Sequence, residues 1–184
     1  MKRHILPLFV AIALLPSVAL AQSATDTSEF SVIGTVPSIC VGGSVSEAGG
    51  VFDLGVLVDT ATGFMRNDLA APAQILNGSF CSSRSTIAVA ATPIVAQTFT
   101  AAAPAGFSRS VDYVATASGW TTNPAVFGTS AAANSAASQT RETAFSGPIT
   151  VGIGSFATTG GSALRLVADT SYLGTVTVTL TPES

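Results

Sequence analysis

An alternation of apolar and polar residues runs through the C-terminal stretch YLGTVTVTLTP, residues 172–182, and is strict from Thr175 to Thr181. Val176, Val178 and Leu180 fall on one side of the alternation, and threonines fall on the other. Successive side chains of a β-strand point to opposite faces of a sheet, so a period of two predicts a strand with one buried face.

The same period recurs along most of the chain, in short segments separated by turn-forming clusters such as GWTTNP and TTGGS. The alternating apolar positions are Phe30, Val32, Gly34 and Val36, then Ile87 and Val89, then Val111, Tyr113 and Ala115, then Ile149, Val151 and Ile153. This layout predicts an all-β protein, an antiparallel β-sandwich. The Ala/Ser-rich residues 129–143 have no apolar stripe to bury, and they are predicted to form a surface loop or one short helix.

Residues 1–21 have the layout of a secretory signal peptide: basic residues, then an apolar run, then Ala19 and Ala21 before Gln22. Cleavage there leaves 163 residues, a length that suits one domain. The chain is therefore expected to be exported.

Charge excludes several functions. The leader contains the only lysine, Lys2, and the only histidine, His4, and its loss leaves five arginines against ten acidic residues, a net charge of about −5. Nucleic acid and anionic lipid are poor partners for such a surface. Serine or cysteine hydrolysis needs a histidine or lysine base, and a zinc site needs four nitrogen or sulfur ligands. We therefore expect no enzyme, no catalytic residues, no metal site and no cofactor.

The stretch VADTSY, residues 167–172, resembles an aspartic-protease loop in its apolar pair before Asp169 and Thr170. That loop requires glycine next, where this chain has Ser171, and the mechanism needs two carboxylates that share a proton. The acidic residue is instead expected to cap a turn.

Cys40 and Cys81 are the only cysteines. An even count in an exported chain favours a disulfide over free thiols or a metal site. Closing a loop of about 41 residues should stabilise the fold by roughly 4 kcal/mol in the loop-entropy model. The lone Trp120 is interpreted as a core anchor rather than as a platform for sugar stacking.

Several of these features together resemble the pilin subunits of chaperone-usher fimbriae, most closely the spore coat protein U type of archaic pili. They are an alternating strand that ends at Cys40, the Gly/Ser-rich turn CVGGSVSEAGG, the segment FDLG at residues 52–55, a second cysteine about forty residues on, and the strands CSSRSTIAVAA and YLGTVTVTLTP. The resemblance implies an immunoglobulin-like sandwich, residues 37–184, that lacks its last strand. It also implies that residues 22–36 form an N-terminal extension whose strand completes another subunit.

In that family, Phe30, Val32, Gly34 and Val36 match the donor-strand positions, and Val176, Val178 and Leu180 match the strand at the edge of the groove. The implied partners are a periplasmic chaperone, an outer-membrane usher and like subunits in a fibre. The implied location is the periplasm and then the cell surface. Two alternatives stay open: residues 28–36 are the first strand of a self-contained sandwich, or the chain is a freestanding secreted or surface binding protein, such as a tip adhesin.

Overall fold

The computed structural model of the chain describes residues 26–45 and 48–183. It divides into two compact units, Met1–Thr35 and Val36–Ser184. Within the first unit, the described residues 26–35 form no helix or strand, and Phe30, Val32 and Ile33 are exposed there. The predicted leader, residues 1–21, lies outside the described residues.

The described part of the second unit holds fifteen strands and a short 3₁₀ helix at Ala48–Gly50. In chain order the strands are β1 (Cys40–Val41), β2 (Ser44–Val45), β3 (Gln74–Asn77), β4 (Phe80–Cys81), β5 (Ser85–Ala91), β6 (Ile94–Ala96), β7 (Phe107–Ser108), β8 (Ser110–Ser118), β9 (Ala125–Gly128), β10 (Ser138–Arg141), β11 (Phe145–Ser146), β12 (Ile149–Thr158), β13 (Arg165–Leu166), β14 (Tyr172–Leu173) and β15 (Val176–Pro182).

The strands form antiparallel sheets, which confirms the predicted all-β sandwich class. The largest sheet has the order β14-β6-β8-β12-β3-β2, with β9 also paired to β8. A second sheet has the order β10-β5-β15, and a third has the order β1-β4-β11. One exception is parallel, the short pair of β7 and β13.

The core lies where the period of two predicts it. Ile87, Val111, Ala115 and Ile149 are fully buried. Trp120 is also fully buried: its ring meets Phe145 edge-on at a centroid distance of 5.1 Å, and its indole Nε1 donates to Ser85 Oγ at 3.2 Å. The interpretation of Trp120 as a core anchor is confirmed.

The prediction of a loop or helix over residues 129–143 is wrong for its second half. Residues 138–141 form β10, which pairs with β5 from Ser138 opposite Ala88 to Arg141 opposite Ser85. The segment needs no apolar stripe, because main-chain hydrogen bonds to β5 hold it at the sheet edge. The turn before it is fixed by Asn134, whose Oδ1 accepts the Gly128 N–H at 2.7 Å.

Asp112 is a buried carboxylate in β8 that joins two loops. Its Oδ1 accepts the Thr129 hydroxyl at 3.0 Å, and its Oδ2 accepts the Thr159 hydroxyl at 2.7 Å. We expect Asp112→Ala to lower the free energy of unfolding by about 1–3 kcal/mol, because both hydroxyls lose their acceptor. Asp112→Asn keeps one carbonyl acceptor and should lose less. Urea unfolding of both variants measures this, and an Asp112→Ala variant as stable as the parent would refute it.

Candidate functional site

The predicted disulfide between Cys40 and Cys81 is confirmed. The two residues stand opposite each other in the pairing of β1 with β4, and Cys81 is buried. Just before β1, Ile39 donates its N–H to Ser82 Oγ at 3.0 Å and accepts the Ser82 N–H at 2.9 Å. The disulfide and these bonds fix the point at which the chain enters its first strand.

The C-terminal strand β15 has the predicted alternation. Val176, Val178 and Leu180 are partly buried against the core, and the threonines between them are exposed. Within the described residues, β15 pairs only with β5 and therefore forms an edge of its sheet.

The direction of the β15 main chain follows from the ladder on the far side of β5. Val89 in β5 donates its N–H to the carbonyl oxygen of Ala137, the residue just before β10, at 2.9 Å. Hydrogen-bonding directions alternate along a strand, so the neighbours of Val89 in β5 face β15. Their partners are Thr177 and Thr179, which consequently direct their N–H and C=O groups at β5.

The N–H and C=O groups of Val176, Val178 and Leu180 therefore point away from β5, to the open side of the edge. Pro182 follows on that side and has no N–H to donate. The open edge thus offers a row of ladder groups that ends at a proline.

A second segment, residues 50–58, lines the same cleft as Val176 at the start of β15. Its side chains alternate: Phe52 and Leu54 are partly buried against the core, whereas Val51 and Asp53 are exposed. In the described structure this segment belongs to no strand, apart from the isolated bridge of Val58 to Met65 at its end. Its backbone is held instead by the Gln74 side chain, which donates Nε2 to Val51 O at 3.2 Å.

Between these two stretches lies a cleft of about 910 Å³. Residues 50–58 and the continuous run 165–176 line it, together with Ile94, Tyr113 and Ile153. We call residues 50–58 and 172–176 its rims, and the three apolar residues its floor. The Tyr113 hydroxyl donates to Thr175 O at 2.9 Å, and burial raises the pKa of this phenol. The site is a trough with an apolar floor between residues 50–58 and residues 172–176.

A tight hairpin adjoins the first rim. Asp59 Oδ1 accepts the N–H groups of Ala61 and Thr62 and the Thr62 hydroxyl, and these bonds hold the pKa of Asp59 below its ordinary value. Arg165, which lines the cleft, stacks over Phe64 in this hairpin at 4.2 Å. The Asp59 carboxylate therefore caps a turn, as expected for an acidic residue in this setting.

Asp169, the carboxylate of the VADTSY stretch, also has a capping role. Its Oδ2 accepts the N–H groups of Thr98 and Phe99 at 2.8 and 2.7 Å, and its Oδ1 accepts the Ser171 N–H at 2.9 Å. These bonds favour the ionised form and hold the pKa of Asp169 well below its ordinary value of 3.8. The carboxylate fastens the loop before β14 to the end of β6.

The lowered pKa of Asp169 predicts a pH dependence. A depressed folded-state pKa gives stability that is fully present above the unfolded-state value, near 3.8, and is lost as pH falls through the folded-state value. We therefore expect the amide signals of Thr98 and Phe99 to stay in place as pH falls through 3.8 and to move only in more acidic solution. NMR titration of the protein and of Asp169→Asn tests this. A midpoint at or above 3.8 would contradict it.

The predicted donor residues lie outside every strand. Phe30, Val32 and Val36 are 88, 97 and 85% exposed, and a Cβ added at Gly34 would meet no atom within 4 Å. In the structure, residues 28–36 therefore do not form the first strand of a self-contained sandwich, because the described residues 26–39 include no strand.

Sequence reasoning missed the rim at residues 50–58. The segment FDLG was used in sequence reasoning only as one of the features that resemble a family, although Phe52 and Leu54 in it show the period of two. Two alternating positions before a glycine are too short a signal to distinguish a cleft rim from a loop.

Comparisons with protein-family models, with curated proteins and with solved structures each give no match. Among the described residues, no helix is long and apolar enough to span a membrane, and no cluster of His, Cys, Asp or Glu is arranged to hold a metal ion.

Proposed function

We propose that this protein is a structural, pilin-like subunit of a bacterial surface fibre that assembles by donor-strand exchange. The observation that supports the proposal is the cleft between residues 50–58 and 172–176. Among the described residues, positions 51–57 of one rim belong to no strand, and the strand that continues the other rim, β15, has an open edge. A single extended strand has the shape and hydrogen-bonding groups to lie between them.

The same chain carries a segment suited to that place. Phe30 and Val32 are two residues apart, so they would project to the same face of a strand, and both are exposed. Burying each would contribute about 1.5–3 kcal/mol, in addition to the main-chain hydrogen bonds along β15. In the proposal, these exposed apolar side chains are the ones that the cleft of another subunit covers.

In this proposal two partners occupy the cleft one after the other. A periplasmic chaperone first lends a strand, and the extension of another subunit then replaces it at an outer-membrane usher, which delivers the fibre to the cell surface. Each subunit completes its neighbour, so assembly needs no cofactor.

The test uses the purified mature chain, analysed by size-exclusion chromatography and on denaturing gels without boiling. We expect a ladder of multimers that heating collapses to monomer. A synthetic peptide of residues 26–37 should occupy the cleft and shorten the ladder. The same peptide carrying Phe30→Ser and Val32→Ser should not. A chain that remains monomeric at every concentration, with or without a chaperone, would refute the proposal.

The alternative is a freestanding secreted or surface β-sandwich that binds a ligand, and the size of the cleft favours it, since ligand sites commonly enclose about 300–1,000 Å³. The edge of β15 separates the two functions. A small ligand held in the cleft would leave the amides of Val178 and Leu180 exposed, whereas an added strand would cover them.

A further inference from the structure

Ile33 is an apolar residue at an outward-facing position of the N-terminal extension, residues 22–36. If Phe30 and Val32 face the cleft, the alternate residues Ser31, Ile33 and Thr35 face outward. Outward positions on β15 are all threonine, which leaves that face of the strand polar. An isoleucine that is 93% exposed in the structure therefore has no evident partner among the residues beside it on that face.

The rim formed by residues 172–176 also has an apolar residue at an outward-facing position. Leu173 in β14 is 59% exposed, although Tyr172 beside it is partly buried. Leu173 is directed outward, and the outward residues that flank it two positions away are Ser171 and Thr175. It is the one large apolar residue on the outward face of this rim.

We infer that an incoming extension lies antiparallel to residues 172–180 in one register, with Ile33 opposite Leu173 on the outer face. The inference rests on the proposed function and specifies how the second copy is seated. A shift of two residues in either direction would place Ile33 opposite Thr175 or Ser171, and the apolar pair would be lost.

The same register also gives two compatible pairs on the inner face of residues 172–176. It sets Phe30 opposite Val176, an aromatic and β-branched pair of the kind that stabilises neighbouring strands. It also sets Gly34 opposite Tyr172, whose ring can cover the surface that a glycine leaves bare. Phe30 to Gly34 then lies opposite residues 172–176, the C-terminal part of the run 165–176 that lines the cleft.

Gly174 is the inner-face residue between Tyr172 and Val176. A Cβ at Gly174 would lie 2.9 Å from Thr92 O and 3.1 Å from Ile94 Cγ1, so this position must remain a glycine. The glycine lets the rim pack closely against Thr92 and Ile94, and the residue opposite it in this register is Val32. Farther along β15 this register sets Ser28 and Asp26 opposite Val178 and Leu180, so the outer pair of Ile33 with Leu173 is what selects the alignment.

Paired cysteines in the full-length mature chain test the register. Opposite residues in an antiparallel pair have Cα atoms about 4.5–5.5 Å apart, a separation that a disulfide bridges. Under mild oxidation of multimers, Ile33→Cys with Leu173→Cys and Ser31→Cys with Thr175→Cys should each link neighbouring subunits. Ile33→Cys with Thr179→Cys is the control for a register shifted by six residues, and Thr35→Cys with Thr175→Cys is the control for a parallel strand. Neither control should cross-link.

Single substitutions supply a second readout. Ile33→Thr should weaken multimers by roughly 2–5-fold, and adding Leu173→Thr should weaken them little further, because the pair is already broken. Multimers that need Phe30 but cross-link through a control pair would overturn the register and leave the proposed function standing. Absence of multimers in the parent would overturn both.

Discussion

Deletion of residues 22–33 is expected to leave a folded subunit that forms no multimers. The deletion removes Phe30, Val32 and Ile33, which are 88–97% exposed, so the described structure loses no core packing. The cleft lies wholly within residues 50–176 and keeps its lining. The variant should therefore unfold at the same denaturant concentration as the parent, yet run as a single band on an unboiled gel.

A mixing experiment provides the control for this deletion. Because the shortened chain retains its cleft, it should still accept the extension of a parent subunit and end the growing multimer. Adding it to the parent should therefore shorten the ladder. If the deleted variant polymerises as the parent does, assembly through this extension is wrong.

Replacing the disulfide is expected to have the largest effect on stability. The double variant Cys40→Ser, Cys81→Ser should lower the free energy of unfolding by about 4 kcal/mol, since a cross-link across some 41 residues no longer restricts the unfolded chain. Burial of Cys81 against the core adds to the cost of a polar serine there. Denaturant unfolding under oxidising conditions, together with soluble yield, measures the effect.

Ser82→Ala is the matched control for the disulfide variant. It removes the side-chain hydrogen bonds to Ile39 N and Pro37 O beside the same strand but keeps the cross-link. Its expected loss is about 1 kcal/mol. A double cysteine variant no less stable than Ser82→Ala would show that the cross-link contributes little.

The strands that the sequence predicts well are those with one buried face. Ile87, Val111 and Ile149 belong to alternating runs, and all three are fully buried. In these runs the local pattern and the tertiary burial depend on the same property, the distribution of apolar side chains. The alternation of β15 was predictable for the same reason.

Elements held mainly by the main chain were not predictable. The strand β10 has the sequence SQTR and is fixed by hydrogen bonds to β5, which side-chain periodicity does not reveal. The rim at residues 50–58 depends on the Gln74 side chain, distant in sequence, and on a hairpin at its end. Such long-range contacts leave almost no local signal.

The candidate site was predictable in part. Family resemblance indicated a groove edge at Val176, Val178 and Leu180, and β15 lies at an open sheet edge. The other rim and the floor at Tyr113 emerge only from the folded chain, because they come from segments more than fifty residues apart.

Amide hydrogen exchange along β15 tests the central claim most directly. In the monomer, Val176, Val178 and Leu180 should exchange quickly, and Thr177 and Thr179, which face β5, should be protected. In multimers, all five amides should be protected, because a strand from another copy covers the open edge. Multimers in which Val178 and Leu180 exchange as quickly as in the monomer would contradict the account.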